Sequence, residues 1–154
     1  MNYPARLVLD TNIVLDWLVF RDPSLGALPG HIETERVVVV SHSLTVSELE
    51  RVLDYPQLNL TPTRQRTVLE CYRAHTAPAA VPNDFSARCL SLPQRFPRCR
   101  DRDDELFLAL AYHIKADALV TRDRAVLKLQ SRAARFGVHI KSTVEMRAAF
   151  APLL

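Results

Sequence analysis

The sequence predicts an α/β domain with a parallel sheet and helices on both faces of the sheet. Two observations favour this class. Short, nearly continuous apolar runs alternate along the chain with helical patterns, and such runs are typical of strands that are buried on both faces. The chain has 154 residues and 48% hydrophobic content, which fits a single domain over 1–154.

Four segments have the composition of strands. The first, 5–10 (ARLVLD), ends on a carboxylate, and the second, 36–40 (RVVVV), is largely β-branched. The third is 116–121 (ADALVT), and a weaker fourth is 137–142 (GVHIKS). The segment 76–102 is rich in proline and has few periodic apolar positions, so we interpret it as an irregular crossover.

Helical patterns lie between these strands. The predicted helices cover 43–55, 63–75, 103–115, 124–136 and 143–150. In the first of them, Thr45 and Glu48 have the spacing of a capping box. Pro62 precedes the second helix, at a first-turn position where proline is tolerated.

Composition and missing motifs exclude several classes of protein. The net charge of +3 is only a weak basic bias. No apolar run reaches the roughly 18 residues of a membrane span, and the N-terminus lacks the pattern of a signal peptide, so we expect a cytoplasmic protein with reduced cysteines. The sequence contains no Gly-rich phosphate loop, no GxSxG elbow and no Cys/His spacing that suits zinc.

Carboxylates stand at the ends of the predicted strands and at the starts of helices. They are Asp10, Asp101, Asp103, Asp104 and Asp123, with Glu48 or Glu50 in the helix after the second strand. Because ligands bind beyond the carboxyl ends of parallel strands, this topology directs all of these acids to one rim. Neighbouring carboxylates repel by roughly 1–4 kcal/mol per pair, and an all-oxygen site suits Mg²⁺ or Mn²⁺.

Each acid also has an ordinary structural interpretation. Asp10 has the residue type of a helix N-cap, and Asp123 has that of a turn. The acids at 101–104 complement a helix N-terminus. These interpretations explain the acids one at a time but not their convergence on one rim.

The ordered set of motifs resembles the PIN-domain family of metal-dependent ribonucleases, to which VapC-like toxins of toxin–antitoxin systems belong. The motifs are LVLDTN (7–12), SELERVL (47–53), RDRDDELFLALA (100–111) and LVTRD (119–123). The resemblance implies a three-layer α/β/α sandwich whose mostly parallel sheet has the strand order 3-2-1-4-5. It also implies an endoribonuclease that uses Mg²⁺ or Mn²⁺ and acts on RNA, with a cognate antitoxin and a second copy of the chain as candidate partners.

The resemblance also assigns roles to residues. It implies that the catalytic acids and metal ligands are Asp10, Glu48, Asp104 and Asp123, with Asp101 as a further metal ligand. Asn12 and Thr121 match polar positions that support the site. The helical pattern alone does not choose between Glu48 and Glu50, so the preference for Glu48 comes only from the family.

Basic residues close to the acids predict a track for RNA phosphates. Arg124, Lys128 and Arg132 recur every four residues in the predicted helix 124–136, and Arg100 and Arg102 lie among the acids of the third motif. A solvated helix face explains the same spacing equally well. The functional interpretation is binding of a single RNA strand through its phosphates.

Two other functions stay open at this point. Related folds with similar acids include structure-specific DNA nucleases, and a non-catalytic RNA-binding or partner-binding module would need no metal at all. The intact set of acids counts against the non-catalytic module.

Overall fold

The computed structural model describes residues 4–150, which contain a five-stranded sheet. The strands are β1 (Ala5–Leu9), β2 (Val37–Ser41), β3 (Thr76–Pro78), β4 (Ala118–Val120) and β5 (Ile140–Lys141). Every strand pairing within the described residues is parallel, and the order is β3-β2-β1-β4-β5. The predicted fold class and the strand order implied by the resemblance are therefore confirmed.

Helices connect these strands. In chain order they are α1 (Thr11–Leu18), α2 (Leu28–Glu33), α3 (Ser43–Leu53), α4 (Pro62–Ala74), α5 (Arg102–Ile114), α6 (Arg124–Leu127), α7 (Gln130–Ala134) and α8 (Thr143–Phe150). No helix among residues 4–150 is long and apolar enough to cross a membrane.

The central strand β1 is buried from both sides. Leu7 and Leu9 belong to a cluster that contains Leu49 of α3, whereas Val8 packs in a second cluster with Leu108 of α5. Successive side chains of a strand point to opposite faces, so the two clusters form the two inner layers of a sandwich. This arrangement explains why the strand sequences are apolar without alternation.

The predicted capping box at Thr45 and Glu48 is wrong, because the N-cap of the helix lies three residues before Thr45. Helix α3 begins earlier, with His42 as its N-cap: the His42 ring nitrogen Nδ1 accepts a hydrogen bond from the Leu44 amide at 3.0 Å. The Thr45 hydroxyl accepts one from the His42 amide at 3.0 Å. Histidine is not among the favoured capping residues, so its role was not visible in the pattern, and Glu48 takes no part in the cap.

The single helix predicted over 124–136 is also wrong. The chain forms α6 and α7 instead, separated by a tight turn in which the Leu129 amide bonds to the Val126 carbonyl three residues back, at 2.9 Å. Val126, Leu129 and Ala133 are all buried in one cluster. The apolar spacing is therefore helical, although the hydrogen bonding is not continuous.

The segment 76–102 is irregular apart from two elements at its ends. It opens with β3, which the sequence did not reveal because it has three residues and ends on Pro78, a residue that only an edge strand accommodates. It closes at the start of α5, where the buried Glu105 side chain accepts a hydrogen bond from the Cys99 amide at 3.2 Å. Helix α2 was missed for a similar reason, since it contains the helix breakers Pro29 and Gly30.

The His42 cap predicts a dependence of stability on pH. Burial lowers the pKa of His42 below its usual 6.5, because it disfavours the charged ring. The neutral ring is also the form that can accept the Leu44 amide. The stability that this residue contributes should be complete above pH 6.5 and decrease as the pH falls through its pKa in the folded protein.

Urea denaturation between pH 5 and 8 tests this dependence with two variants. His42→Ala should lose about 1 kcal/mol of unfolding free energy at pH 8, whereas His42→Asn should keep the cap without titrating. The cap has no role in stability if His42→Ala matches the wild type at pH 8.

Candidate active site

The adjacent strands β1 and β4 bring the first two polar residues of the site together. Leu9 is paired with Val120, and the Asp10 amide donates to the Val120 carbonyl at 3.0 Å. Asp10 and Thr121 are the residues that follow these strand ends, and both are buried. Two motifs that are more than a hundred positions apart in sequence therefore meet at the carboxyl edge of the sheet.

The Thr121 hydroxyl connects two of the acids. It donates to the Asp10 carboxylate (Oδ2) at 2.7 Å and accepts from the Asp123 amide at 3.0 Å. A hydroxyl can donate once and accept at the same time, so one fully buried side chain fixes the Asp10 side chain and the Asp123 backbone.

The predicted acids line one cleft of about 580 Å³. Its carboxylates are Asp10, Glu48, Asp101, Asp103, Asp104 and Asp123, and Asn12 lies in its wall. The structure places Glu48 in this cleft, with a side chain only 12% exposed. Glu50 lies on the solvent side of α3, where its carboxylate is 3.5 Å from Arg73 of α4.

The carboxylates in this cleft disfavour one another's ionisation. Burial, followed by the charges of Asp10, Asp123, Asp101 and Asp103, raises the pKa of Asp104 to about 7. Burial also raises the pKa of Asp10, although the Thr121 hydrogen bond opposes the shift. The cleft therefore carries excess negative charge that a cation would relieve.

The structural interpretations of these acids apply to two of them. Asp101 and Asp123 cap helices α5 and α6, since their Oδ1 atoms accept the amides of Asp103 (2.9 Å) and Ala125 (2.8 Å). Asp10 occupies the N-cap position of α1, but its side chain makes no capping hydrogen bond. The amides of Thr11 and Asn12 at the start of α1 still favour its charged form, and the side-chain hydrogen bond of its carboxylate is the one from Thr121.

Sequence reasoning missed Arg51, which balances two of the carboxylates. Its Nη2 atom lies 2.6 Å from Glu48 and 2.7 Å from Asp103. The spacing from Glu48 to Arg51 is that of an i,i+3 ion pair on a helix, which was the available signal. A second arginine in the cleft wall, Arg122, lies 3.3 Å from the buried carboxylate of Asp16.

The donor set of the cleft fits a hard divalent cation by its chemistry. All the candidate ligands are carboxylate oxygens, which suit Mg²⁺ or Mn²⁺. Within residues 4–150, no three His, Cys, Asp or Glu side chains stand close enough to form a ready-made cage. Mg²⁺ commonly keeps several waters and binds through one or two carboxylates, so the absence of a closed cage is compatible with such a site.

The predicted RNA-binding residues lie outside the cleft wall. Arg124, Lys128 and Arg132 are exposed along α6, the turn after it, and α7. Arg100 is exposed, and Arg102 donates to the Ala87 carbonyl at 3.4 Å beside a neighbouring groove. The arginines that line the cleft are instead Arg51 and Arg122.

Comparison with known proteins identifies the family. The family model of the PIN domain matches residues 6–125. The chain belongs to the PIN-domain family. PIN domains are generally nucleases, and the matched region includes every carboxylate of the cleft as well as Arg124, but ends before Lys128 and Arg132. No curated protein and no solved structure matches the chain.

Replacing the hydroxyl of Thr121 should destabilise this PIN domain. Thr121→Val keeps the shape but removes both hydrogen bonds from a buried position, which should cost about 1–3 kcal/mol of unfolding free energy. Thr121→Ser keeps the hydroxyl and should lose less. Equal unfolding free energies for Thr121→Val and the wild type, measured by urea denaturation, would contradict the bridging role.

Removing the charge of Asp104 should stabilise the metal-free protein at high pH. Because its pKa is raised from 3.8 to about 7, the wild type should lose stability as the pH rises from about 4 to 7. Asp104→Asn should escape this loss and be more stable at pH 8 by about 1 kcal/mol, a value reduced for solvent screening.

Melting curves in EDTA at pH 4.5 and pH 8 measure this difference. The matched control is Glu50→Gln, because Glu50 lies outside the cleft and the substitution should give no comparable gain. A lower melting temperature of Asp104→Asn at pH 8 would argue that the cleft carboxylates do not repel.

Proposed function

We propose that this PIN domain is a metal-dependent endoribonuclease and the toxin of a toxin–antitoxin system. Its reaction is the hydrolysis of phosphodiester bonds in RNA. The observation that carries the proposal is the convergence of the motif acids on one cleft, together with the raised pKa of Asp104 among them.

The carboxylates are proposed as the ligands of Mg²⁺ or Mn²⁺. The ligand set is Asp10, Glu48, Asp101, Asp104 and Asp123. When bound, the cation would lower the pKa of a bound water and neutralise the charge that develops on the scissile phosphate. Of these acids, Asp10 is buried at the strand end and has one carboxylate oxygen held by the Thr121 hydroxyl.

The chain's own polar residues would orient this set. Thr121 fixes Asp10 relative to Asp123, and Asn12 lies exposed in the cleft wall, where it can reach a substrate. Asp101 and Asp123 each accept a helix amide through Oδ1, so their Oδ2 atoms remain as candidate ligands for the cation. Two of the proposed ligands are thereby held rigidly by the first turns of α5 and α6.

Arginines would supply the attraction that an acidic cleft lacks for a polyanion. Arg51 and Arg122 lie in the cleft itself, where a phosphate can pair with their guanidinium groups. Arg124, Lys128 and Arg132 would extend the phosphate track along the surface from Asp123, with Arg100 and Arg102 on the other side of the site. All three residues of the first group are exposed.

The toxin role rests on the resemblance of the motifs to VapC-like proteins, including the Asp101-x-x-Asp104 spacing. It implies a cognate antitoxin that would cover the basic surface, and a homodimer is a further proposed partner state. Co-expression with the product of a neighbouring small gene tests the antitoxin. Rescue of growth by that product would support the toxin role.

Chelation of metal and loss of Asp10 should both abolish cleavage. The substrates are a panel of structured RNAs, tRNA included, with single-stranded DNA alongside. EDTA should stop RNA cleavage by the wild type, and Mg²⁺ or Mn²⁺ should restore it. Asp10→Asn should reduce the cleavage rate at least a hundredfold at any metal concentration, because it removes a charge that the cation needs.

Two controls separate the alternatives. Glu50→Gln changes a glutamate on the same helix as Glu48 but outside the cleft, and it should cleave as the wild type does. Cleavage that survives exhaustive chelation would exclude the metal mechanism. Cleavage of DNA but not RNA would identify a DNA nuclease instead.

A further inference from the structure

Two exposed aromatic side chains stand at the cleft that holds the carboxylates. Among residues 4–150, the large hydrophobic side chains that remain exposed are Phe20 (54%), Tyr55 (40%) and Val144 (72%). Phe20 and Tyr55 both line the carboxylate cleft, whereas Val144 lies on α8. Phe20 and Tyr55 therefore present apolar ring surface to the cleft, which a flat ligand would cover.

The backbone fixes both aromatic residues at the cleft. Phe20 lies just beyond α1, where its amide donates to the Leu15 carbonyl at 2.9 Å. Tyr55 lies just beyond α3, where its amide donates to the Val52 carbonyl at 3.0 Å. Each aromatic residue therefore extends from the end of a helix whose other residues carry the site, Asn12 on α1 and Glu48 on α3.

Arg51 connects Tyr55 to the carboxylates. Its Nη1 atom donates to the Tyr55 hydroxyl at 2.7 Å, and its guanidinium carbon lies 5.8 Å from the centroid of the Tyr55 ring. The Nη2 atom of the same group pairs with Glu48 and Asp103. Arg51 therefore contacts both the Tyr55 hydroxyl and the carboxylates of Glu48 and Asp103.

We propose that Phe20 and Tyr55 form a stacking pair for unpaired bases of the RNA strand next to the bond that is cut. This proposal rests on the proposed function and adds to it the residues that would bind the bases of the substrate. Aromatic side chains bind the face of any base, but a base inside a duplex has both faces covered by its neighbours. The stacking pair would therefore select unpaired nucleotides without selecting their sequence.

Residue types and size favour a nucleic-acid strand over a protein at this position. Arg51 and Arg122 lie in the same cleft as the stacking pair, and together they offer the mixture of aromatic rings and guanidinium groups that suits bases joined by phosphates. A stable protein interface buries about 800 Å² on each partner, which is far more than two partly exposed rings provide.

The test compares single-stranded and duplex RNA as substrates. A 20-nucleotide unstructured RNA is cleaved with Mg²⁺, alone or annealed to its complement, by the wild type, Phe20→Leu and Tyr55→Leu. Leucine keeps an apolar side chain but has no π-face. Each variant should raise the KM for the single strand about 5- to 100-fold with little change in kcat, and it should leave the slow cleavage of the duplex unchanged.

Matched variants control for effects on the fold. Phe20→Trp keeps an aromatic face and should retain the wild-type KM, and Val144→Ala removes an exposed hydrophobic side chain that does not line the cleft and should change nothing. The proposal is overturned if Phe20→Leu and Tyr55→Leu cleave the single strand with wild-type KM, or if they lose the same factor on both substrates.

A second readout does not depend on cleavage. In an Asp10→Asn background, the fluorescence that Phe20→Trp adds to that of the native Trp17 should be quenched by unstructured RNA but not by an abasic oligonucleotide of the same length, with the Asp10→Asn parent as the baseline. This experiment tests the stacking pair even if the wild type cuts no RNA, an outcome that would count against the proposed function alone. Equal quenching by the two oligonucleotides would overturn the proposal. So would a wild-type dimer that Phe20→Leu dissociates while RNA binding and the KM for RNA stay unchanged.

Discussion

The pairing of β1 with β4 is the constraint on which the rest of the site depends. It places the buried Asp10 beside Thr121. The Thr121 hydroxyl can therefore bind the Asp10 carboxylate and the Asp123 amide at the same time. Neither residue would adopt this position in isolation, because a buried carboxylate needs a donor and a buried hydroxyl needs partners. The sheet supplies both by putting the two strand ends side by side.

Charge is distributed unequally around this pair. Two acids, Asp101 and Asp123, are stabilised by the amides of the helices that they cap, and Glu48 is paired with Arg51. Asp104 has no such partner among the described residues, and burial together with the neighbouring carboxylates raises its pKa to about 7. The cleft is therefore only partly neutralised by the protein, which leaves a site with a preference for cations.

Two kinds of chemistry line the cleft. Most of its carboxylates follow the ends of β1 and β4 or stand at the start of α5, whereas Phe20, Tyr55 and two arginines lie at the ends of α1 and α3 and in the loop after β4. A nucleic-acid strand has the same division between charged phosphates and flat, apolar bases. Arg51 connects the two groups of residues, because it pairs with Glu48 and also donates a hydrogen bond to Tyr55.

The sequence by itself determined the class of the fold, the order of the motifs and the identity of the candidate acids. Continuous apolar runs need two covering layers, and strand ends carry ligands in parallel sheets, so these features follow from local composition. The helical pattern left Glu48 and Glu50 equivalent, with only the family resemblance favouring Glu48, and nothing in it indicated that His42 caps α3 or that Phe20 and Tyr55 share a cleft. Those features depend on contacts between segments far apart in the chain: α5 brings Asp103 to Arg51, and only packing decides which side of α3 faces it. Periodicity reports which face of a helix is apolar, but the partner of its polar face is decided by the tertiary structure.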